Sequence, residues 1–166
     1  MGLLAVLLNL VGCDQQRIEK LEEGVSTEAQ VRQQFGEPEN VWDAPPGAPA
    51  GTRVLEYNRQ PEGTTNYLIA IGPDGKMSAL RQVLNPQNFG RVLPGMPMEA
   101  VRKMLGKPAK VASYALSRQT HWDYRFAEGA NTSDRKIFTA IFDPDMRVVS
   151  TTITDDPRGQ GEGNRP

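Results

Sequence analysis

Cys13 is the residue whose type and setting predict the most specific chemistry in this chain. It ends the segment Leu10-Val11-Gly12-Cys13 and is the only cysteine in the sequence. The stretch from Gly2 to Leu10 is apolar except for Asn9, and the chain turns polar at Asp14. An apolar core of about 7–15 residues followed by small residues is typical of a secretory signal peptide. With a cysteine at the cleavage point, the pattern is that of a bacterial lipobox, which predicts removal of the signal and attachment of lipid to the cysteine.

The lipobox predicts a signal peptide over residues 1–12, lipid attachment at Cys13 and a location at the periplasmic face of the outer membrane. Asp14 keeps the inner membrane as an alternative location, because an acidic residue after the lipidated cysteine is associated with inner-membrane retention in some bacteria. The apolar start is shorter than the roughly 20 residues that span a bilayer, so an anchor is expected. The alternative is a cytosolic domain in which Cys13 is a buried thiol.

Other residues that could perform catalysis or bind metal are sparse. His121 is the single histidine, and it falls on the polar face of a predicted strand. The carboxylate pairs Glu22-Glu23 and Asp155-Asp156 are interpreted as solvated charge. Residues 159–163 contain three glycines but have no strand before them and no helix after them, as a phosphate-binding loop requires. The sequence therefore predicts no catalytic, cofactor or metal site and no enzyme, unless a pocket joins His121 to two carboxylates.

Composition narrows the classes of partner. The formal net charge is −1 and 23% of residues are charged, so no basic field exists to hold a nucleic acid. With one cysteine, no disulfide can form within the chain, and each fold must depend on its own apolar core. The length suits one ordinary domain or two very small ones.

The chain contains an internal duplication. Residues 24–38 are echoed by residues 95–108, with one residue inserted near the start of the first copy. A spacing of 70 residues separates Val31, Phe35, Gly36 and Pro38 from Val101, Leu105, Gly106 and Pro108. This period exceeds that of solenoid repeats, which is about 20–50 residues, and so predicts two tandem units.

Each copy predicts a short amphipathic helix with defined ends. Thr27 and Gln30 form a potential capping box at the start of the first, and Pro97 suits the first helical position of the second. Gly36 and Gly106 stand where a residue with positive φ closes a helix. A preceding helix is expected in each unit, over residues 16–23 in the first and more weakly over 88–93 in the second.

Period-2 alternation and turn signals then predict three or four antiparallel strands per unit. The aromatic residues Trp122, Tyr124 and Phe126 alternate with polar ones and define one apolar face. The other predicted strands surround Leu55 and Tyr57 and cover residues 67–71, 76–84, 137–142 and 147–153.

The expected fold class is therefore α+β, with two tandem ααβββ(β) units whose helices pack on one face of antiparallel sheets. The predicted boundaries are 1–12 for the signal peptide, 13–86 and 87–154 for the two units, and 155–166 for a disordered tail rich in Gly, Pro and charge. Residues 43–52 and 127–135 are expected to be loops.

The lipobox, the motif Gly-x-[Ser/Thr]-x-x-x-Val-x-x-x-[Leu/Phe]-Gly-x-Pro and the aromatic strand that follows resemble the SmpA/OmlA family of small outer-membrane lipoproteins, which includes BamE-like subunits. The resemblance covers most of the mature chain, from Ile18 to Ile153, as two copies of the unit. It implies a non-enzymatic scaffold or docking factor for envelope integrity or outer-membrane β-barrel assembly, with the β-barrel assembly machinery as partner and no cofactor.

Two copies of such a unit are also similar in architecture to secreted β-lactamase inhibitor proteins, which leaves an alternative function. In that case the chain would block an envelope enzyme through a concave sheet face. Trp42, Tyr114 and Trp122 are the candidate docking residues, because Trp and Tyr concentrate at interface hot spots. The stripe formed by Trp122, Tyr124 and Phe126 has a second interpretation, in which these side chains belong to the core that the helices cover.

Overall fold

The computed structural model describes residues 14–129 and 134–159, and Cys13 with the predicted signal peptide lies outside them. The helices are α1 (Asp14–Ile18), α2 (Glu28–Phe35), α3 (Pro86–Phe89) and α4 (Met98–Leu105). The strands of the first sheet are β1 (Asn40–Asp43), β2 (Arg53–Asn58), β3 (Asn66–Ile71) and β4 (Met77–Gln82). Those of the second are β5 (Lys110–Tyr114), β6 (Gln119–Ala127), β7 (Arg135–Phe142) and β8 (Val148–Asp155).

The fold is α+β, as the sequence predicts. Each sheet has four antiparallel strands in chain order, β1-β2-β3-β4 and β5-β6-β7-β8, and no strand pairing joins the two sheets in the described part of the chain. Among the described residues, no helix has the length and apolarity needed to cross a bilayer.

The two copies of the repeat share an equivalent hydrogen bond at the end of their helices. In the first copy the Tyr57 hydroxyl donates to the carbonyl of Gly36 at 2.9 Å, and in the second the Tyr124 hydroxyl donates to that of Gly106 at 3.1 Å. Each tyrosine thereby holds the end of its helix against the second strand of its sheet. Both glycines have positive φ, 84° and 77°, as predicted.

The predicted ends of α2 and α4 are largely confirmed. The Thr27 hydroxyl accepts from the backbone N–H of Gln30. The side chain of Gln30 accepts from the backbone N–H of Thr27, so the capping box is complete. Pro97 lies at the N-cap of α4, one residue earlier than expected.

The helix before each of these is shorter than predicted. Instead of spanning residues 16–23, α1 ends at Ile18, because the next segment pairs with the first sheet: the Gly24 N–H donates to the Met77 carbonyl at 2.7 Å. In the second copy the helix begins at Pro86 because the Asn85 side chain accepts from the Asn88 N–H.

The predicted start of the disordered tail, at Asp155, is placed too early. Asp155 is the last residue of β8, and residues 157–159 form a turn of 3₁₀ helix. Asp156 is buried, and its carboxylate accepts from Arg125 Nη1 at 2.6 Å. The expectation that Asp155-Asp156 is a pair of solvated charges is therefore wrong for Asp156, because a strand of the second sheet supplies a cation for it.

The elements stack as four layers: α2, the first sheet, α3 with α4, and the second sheet. Residues from α2 and the inner face of the first sheet form one core, which includes Val31, Phe35, Leu55 and Ile69. The second core lies between α3, α4 and the inner face of the second sheet, and consists of Val83, Leu84, Phe89, Val92, Val101, Leu105, Tyr124, Phe126, Phe138, Ala140, Phe142 and Val148.

The outer face of the first sheet is covered in part by the second half of the chain. The Asn66 side chain on β3 donates to the carbonyls of Leu105 and Lys107 at 2.9 and 3.0 Å. The Asn58 side chain on β2 accepts from the Lys107 N–H at 2.8 Å. These bonds satisfy backbone groups left open at the end of α4 and fix the helix to the sheet.

Candidate functional site

A groove of about 560 Å³ opens beside this junction, between the outer face of the first sheet and helices α3 and α4. Its volume falls in the range of about 300–1,000 Å³ that is common for ligand sites. Sheet and loop supply one wall and the helices the other. The lining residues are Trp42, Asp43, Ala44, Pro45, Pro46, Val54, Leu68, Ala70, Ala79, Arg81, Val83, Asn88, Arg91, Ala100, Lys103 and Met104.

The floor of the groove is apolar because the central strand β3 is apolar on both faces. Tyr67, Ile69 and Ile71 point into the first core, while Leu68 and Ala70 point into the groove. The register places Val54, Ala70 and Ala79 side by side on three neighbouring strands. The unbroken apolar run over residues 67–71 is the signal in the sequence for a strand buried on both faces, and it could have located this floor.

Trp42 forms part of the wall and is held there by a buried carboxylate. Its Nε1–H donates to Glu56 Oε2 at 2.8 Å. Glu56 is fully buried and also accepts from Asn58 Nδ2 and Arg102 Nη2, each at 2.6 Å. The charge of Glu56 is thus compensated by a guanidinium from α4, and the indole is fixed in orientation. The Lys103 ammonium lies 5.4 Å from the centre of the Trp42 ring, within cation–π range.

The polar residues of the lining are mostly basic. Arg81, Arg91 and Lys103 line the groove, against the single carboxylate of Asp43. In the described part of the chain, Arg91 has no carboxylate within ion-pair distance, and its guanidinium donates to the Asn88 side chain at 3.5 Å. The groove therefore offers an apolar floor with a cationic rim.

Two of these cations are held by exposed carboxylates outside the groove. Arg81 pairs with Glu23, and this hydrogen bond, followed by one from the Leu80 N–H, lowers the pKa of Glu23. Lys103 pairs with Glu99 one helical turn away, and its hydrogen bond lowers the pKa of Glu99. Solvent-exposed ion pairs are weak, so a partner's acidic side chain can replace either carboxylate at small cost.

The structure places the three candidate docking residues on different surfaces. Trp42 lines the groove, whereas Tyr114 lies on the outer face of the second sheet with its ring 4.4 Å from that of His121. Trp122 lies on the inner face of that sheet, half-buried, with its ring 5.1 Å from that of Phe142. Tyr124 and Phe126 are buried beside it, so this stripe is core. Cys13 lies outside the described residues.

His121 lies on the outer face of the second sheet, outside the lining of the groove. Its Nε2 is buried without a hydrogen-bond partner among the described residues. Asp123, two residues along the same face of the strand, accepts from the Thr139 hydroxyl at 2.7 Å. Within residues 14–129 and 134–159, no group of three or more His, Cys, Asp or Glu side chains is placed to hold a metal ion. The groove is the feature of the described molecule best shaped to bind a partner.

No family model matches the chain, and no curated protein matches it. Among solved structures, the chain is similar to a DUF4309 family protein (YjgB) from Bacillus subtilis, with 21% identity, 85% of this chain and 86% of that chain covered, and a TM-score of 0.31. It is also similar to a "putative beta-lactamase inhibitor protein" from Streptococcus mutans, with 12% identity, 86% and 95% covered, and a TM-score of 0.34. TM-scores this low say nothing about what the chain binds.

Proposed function

We propose that this chain is a non-enzymatic docking protein of the bacterial cell envelope, held at a membrane by lipid on Cys13, that binds a partner protein in the groove beside Trp42. The groove is the observation that carries the proposal, because it combines an apolar floor with a rigidly held indole and a cationic rim. Trp and Arg are the residue types most enriched at binding hot spots.

The occupant proposed is an apolar segment of a polypeptide that carries acidic side chains. The floor residues Leu68 and Val54 would bury the apolar side chains, and Arg91 would pair with an acidic one. Burying apolar area at about 25 cal/mol per Å² supplies the main driving force, and the charges orient the segment.

A scaffold role is preferred to an inhibitor acting through a broad sheet face. The outer face of the second sheet is mainly polar, with Tyr114 and His121 as its one aromatic pair in the described residues. The register places on this face the polar residues Lys110, Asp123, Arg125, Thr139, Ser150, Thr152 and Thr154, together with the partly buried Ile137 and Ile141. The resemblance to SmpA/OmlA lipoproteins supports the β-barrel assembly machinery as partner, and confinement of both to one membrane would raise their effective concentration.

The inhibitor-like alternative has one observation in its favour. The turn between β5 and β6 projects Leu116, which is 104% exposed, next to Tyr114, which is 49% exposed. An apolar tip of this kind fits the cleft of an enzyme. In this second candidate function the hairpin, and not the groove, contacts the partner.

A crosslinking pull-down from envelope fractions tests the docking proposal. Ala79→Trp fills the floor of the groove, whereas Ser78→Trp adds the same side chain at the adjacent, exposed position outside the lining and serves as matched control. Subunits of the β-barrel assembly machinery should be recovered with the wild type and with Ser78→Trp, and lost with Ala79→Trp. Equal recovery with both variants would show that the partner does not bind in the groove. Recovery of a soluble enzyme that depends on Leu116 would favour the inhibitor.

The anchor is tested separately by labelling cells with radioactive palmitate. The wild type should incorporate label and Cys13→Ser should not. Several acyl chains on one protein make membrane attachment effectively permanent, since each buried CH₂ contributes about 0.8 kcal/mol. Equal labelling of both proteins, or label in neither, would remove the anchor from the proposal.

A further inference from the structure

Asp14, the residue directly after the predicted lipid attachment site, is fastened to the folded body. Its carboxylate accepts from Arg59 Nε at 3.0 Å and from Arg59 Nη2 at 3.2 Å, and Arg17 Nη1 lies 3.2 Å from it. The Asp14 side chain is 18% exposed and that of Arg59 is 26% exposed. Two-point pairing of a guanidinium with a carboxylate fixes orientation as well as distance.

Both partners of this pair are themselves held in place. The Arg59 guanidinium carbon lies 5.6 Å from the centre of the Phe35 ring, and Phe35 is part of the first core. On the other side, Ile18, the last residue of α1, and Leu21 beyond it pack against the same core. The chain is therefore attached to the first unit from Asp14 onward, without a flexible linker.

Arg59 begins the turn that joins β2 to β3. It follows the last residue of β2, and its neighbour Gln60 donates to the Arg125 carbonyl at 2.9 Å and accepts from the Arg125 N–H at 3.0 Å. Arg158 donates to the Pro61 carbonyl at 3.0 Å. The turn between β2 and β3 (residues 59–65) thus forms an edge that both sheets share; we call it the anchor edge.

The groove lies toward the opposite end of β2. Val54, which lines it, is five residues from Arg59, a separation of about 17 Å at 3.3 Å per strand residue. Trp42 lies beside Val54 in the strand register. The loop over residues 44–52, which includes the lining residues Pro45 and Pro46, is farther still from the anchor edge.

We propose that the Asp14–Arg59 pair holds the anchor edge against the lipid headgroups of the bilayer, so that the groove opens away from the membrane at a fixed height. This inference rests on lipid attachment at Cys13, as proposed above. A flexible linker of about 20 residues would let the folded part of the chain move roughly 25 Å from the anchor, because the end-to-end distance of such a linker is about 5–6 Å times the square root of its length. Here the pair, together with the packing of Ile18 and Leu21 against the first core, removes that freedom and presents the groove to a partner bound to the same membrane.

Depth-dependent fluorescence quenching tests this orientation. The full chain, produced in bacteria from residue 1 so that its processing is not assumed, is placed in phosphatidylethanolamine–phosphatidylglycerol vesicles that carry a nitroxide on the headgroup. An environment-sensitive fluorophore is attached at Glu62→Cys, on the anchor edge, or at Ala50→Cys, an exposed loop residue at the far end of β2. Quenching at position 62 should exceed that at position 50 at least about threefold, given their separation along the strand.

The variant Arg59→Gln, made in both labelled chains, releases residues 14–17 as a tether of about 11 Å, because Ile18 and Leu21 still pack on the core. It should lower the ratio of the two quenching values to about 1.5–2 while the protein still floats with the vesicles. Asp14→Asn leaves the contact of Arg59 with Phe35 in place and should act in the same way, which keeps the test valid if Arg59→Gln unfolds the core. Thermal unfolding of each variant identifies that case.

The outcomes separate the two proposals. Failure of the wild type to float would overturn the lipid anchor and this inference with it. Flotation with equal quenching at positions 62 and 50 would overturn the fixed orientation alone. A difference in quenching that survives both Arg59→Gln and Asp14→Asn would show that the ion pair is not its cause, and would also overturn the inference.

Discussion

Replacement of Arg102 by methionine is the sharpest test of how the two halves are joined. Glu56 is fully buried on the outer face of the first sheet, and the cation that the described residues place against it is Arg102, from α4 in the other half. Methionine keeps much of the side-chain volume and removes the charge. The carboxylate is then left buried beside Asn58 and Trp42, which donate hydrogen bonds but supply no positive charge.

The expected loss of stability is about 3 kcal/mol. Breaking a buried ion pair by removing one partner costs about 3–5 kcal/mol, and the lower end applies because the Arg102 side chain keeps 21% of its surface exposed to water. For a chain of this size the melting temperature should fall by roughly 6–12 °C, at about 2–4 °C per kcal/mol. The loss is a large share of a typical stability of about 5–15 kcal/mol.

Urea unfolding followed by tryptophan fluorescence measures this effect. The chain has two tryptophans, one on each sheet, so the emission of Trp42 and Trp122 reports both halves. Arg32→Met is the matched control, because Arg32 holds the same position in the first copy. Its partners are Glu37, which is 80% exposed, and Glu28, which is 18% exposed but keeps Arg53 as a second cation. Its loss should stay below about 1 kcal/mol.

A double variant identifies the cause. Glu56→Gln combined with Arg102→Met leaves no charge at this site. Asn58 and Trp42 bond different oxygens of Glu56, so the single amide oxygen at position 56 can still accept from one of them. This protein should therefore be more stable than Arg102→Met alone by at least about 1 kcal/mol. If Arg102→Met is no less stable than Arg32→Met, or if the double variant is as unstable as Arg102→Met, the uncompensated carboxylate is not what destabilises the junction.

Two further predictions concern the duplicated features. Gly106→Ala should lose at least about 1 kcal/mol more stability than Gly36→Ala in urea unfolding. Both positions have positive φ, so the backbone strain is shared. A Cβ at Gly106 would lie 2.5 Å from Asn58 Oδ1, whereas a Cβ at Gly36 would have no neighbouring atom within 4 Å. Equal losses would mean that the end of α4 can shift from the sheet. Burial raises the pKa of Tyr57 from 10.0 to about 12. The unfolded chain therefore releases this proton first, and the stability that Tyr57 contributes below pH 10 is lost as the pH rises to about 12. Tyr57→Phe should reduce the fall in urea midpoint between about pH 9 and about pH 11, and an unchanged fall would assign the dependence to other groups.

Features set by local physics could be predicted from the sequence. The capping box of Thr27 and Gln30 needs contacts only three residues apart, and the turn glycines Gly36 and Gly106 are favoured wherever φ must be positive. Strand alternation is equally local, which is why the inner-face position of Tyr124 and Phe126 was predicted. The 70-residue spacing of the repeat then gives the same fold twice.

The groove and the junction could not be predicted, because they depend on how the second half packs on the first. In the run Leu55-Glu56-Tyr57-Asn58, alternation places Glu56 and Asn58 on the polar face, which in an isolated unit would be exposed to water. In the folded chain α4 covers that face, buries Glu56 completely and supplies Arg102 to it. The contacts responsible join residues 39 to 49 positions apart, such as Asn66 with Leu105 and Asn58 with Lys107. A period in the sequence specifies which side chains share a face, whereas only the tertiary structure decides whether that face meets water or another part of the chain.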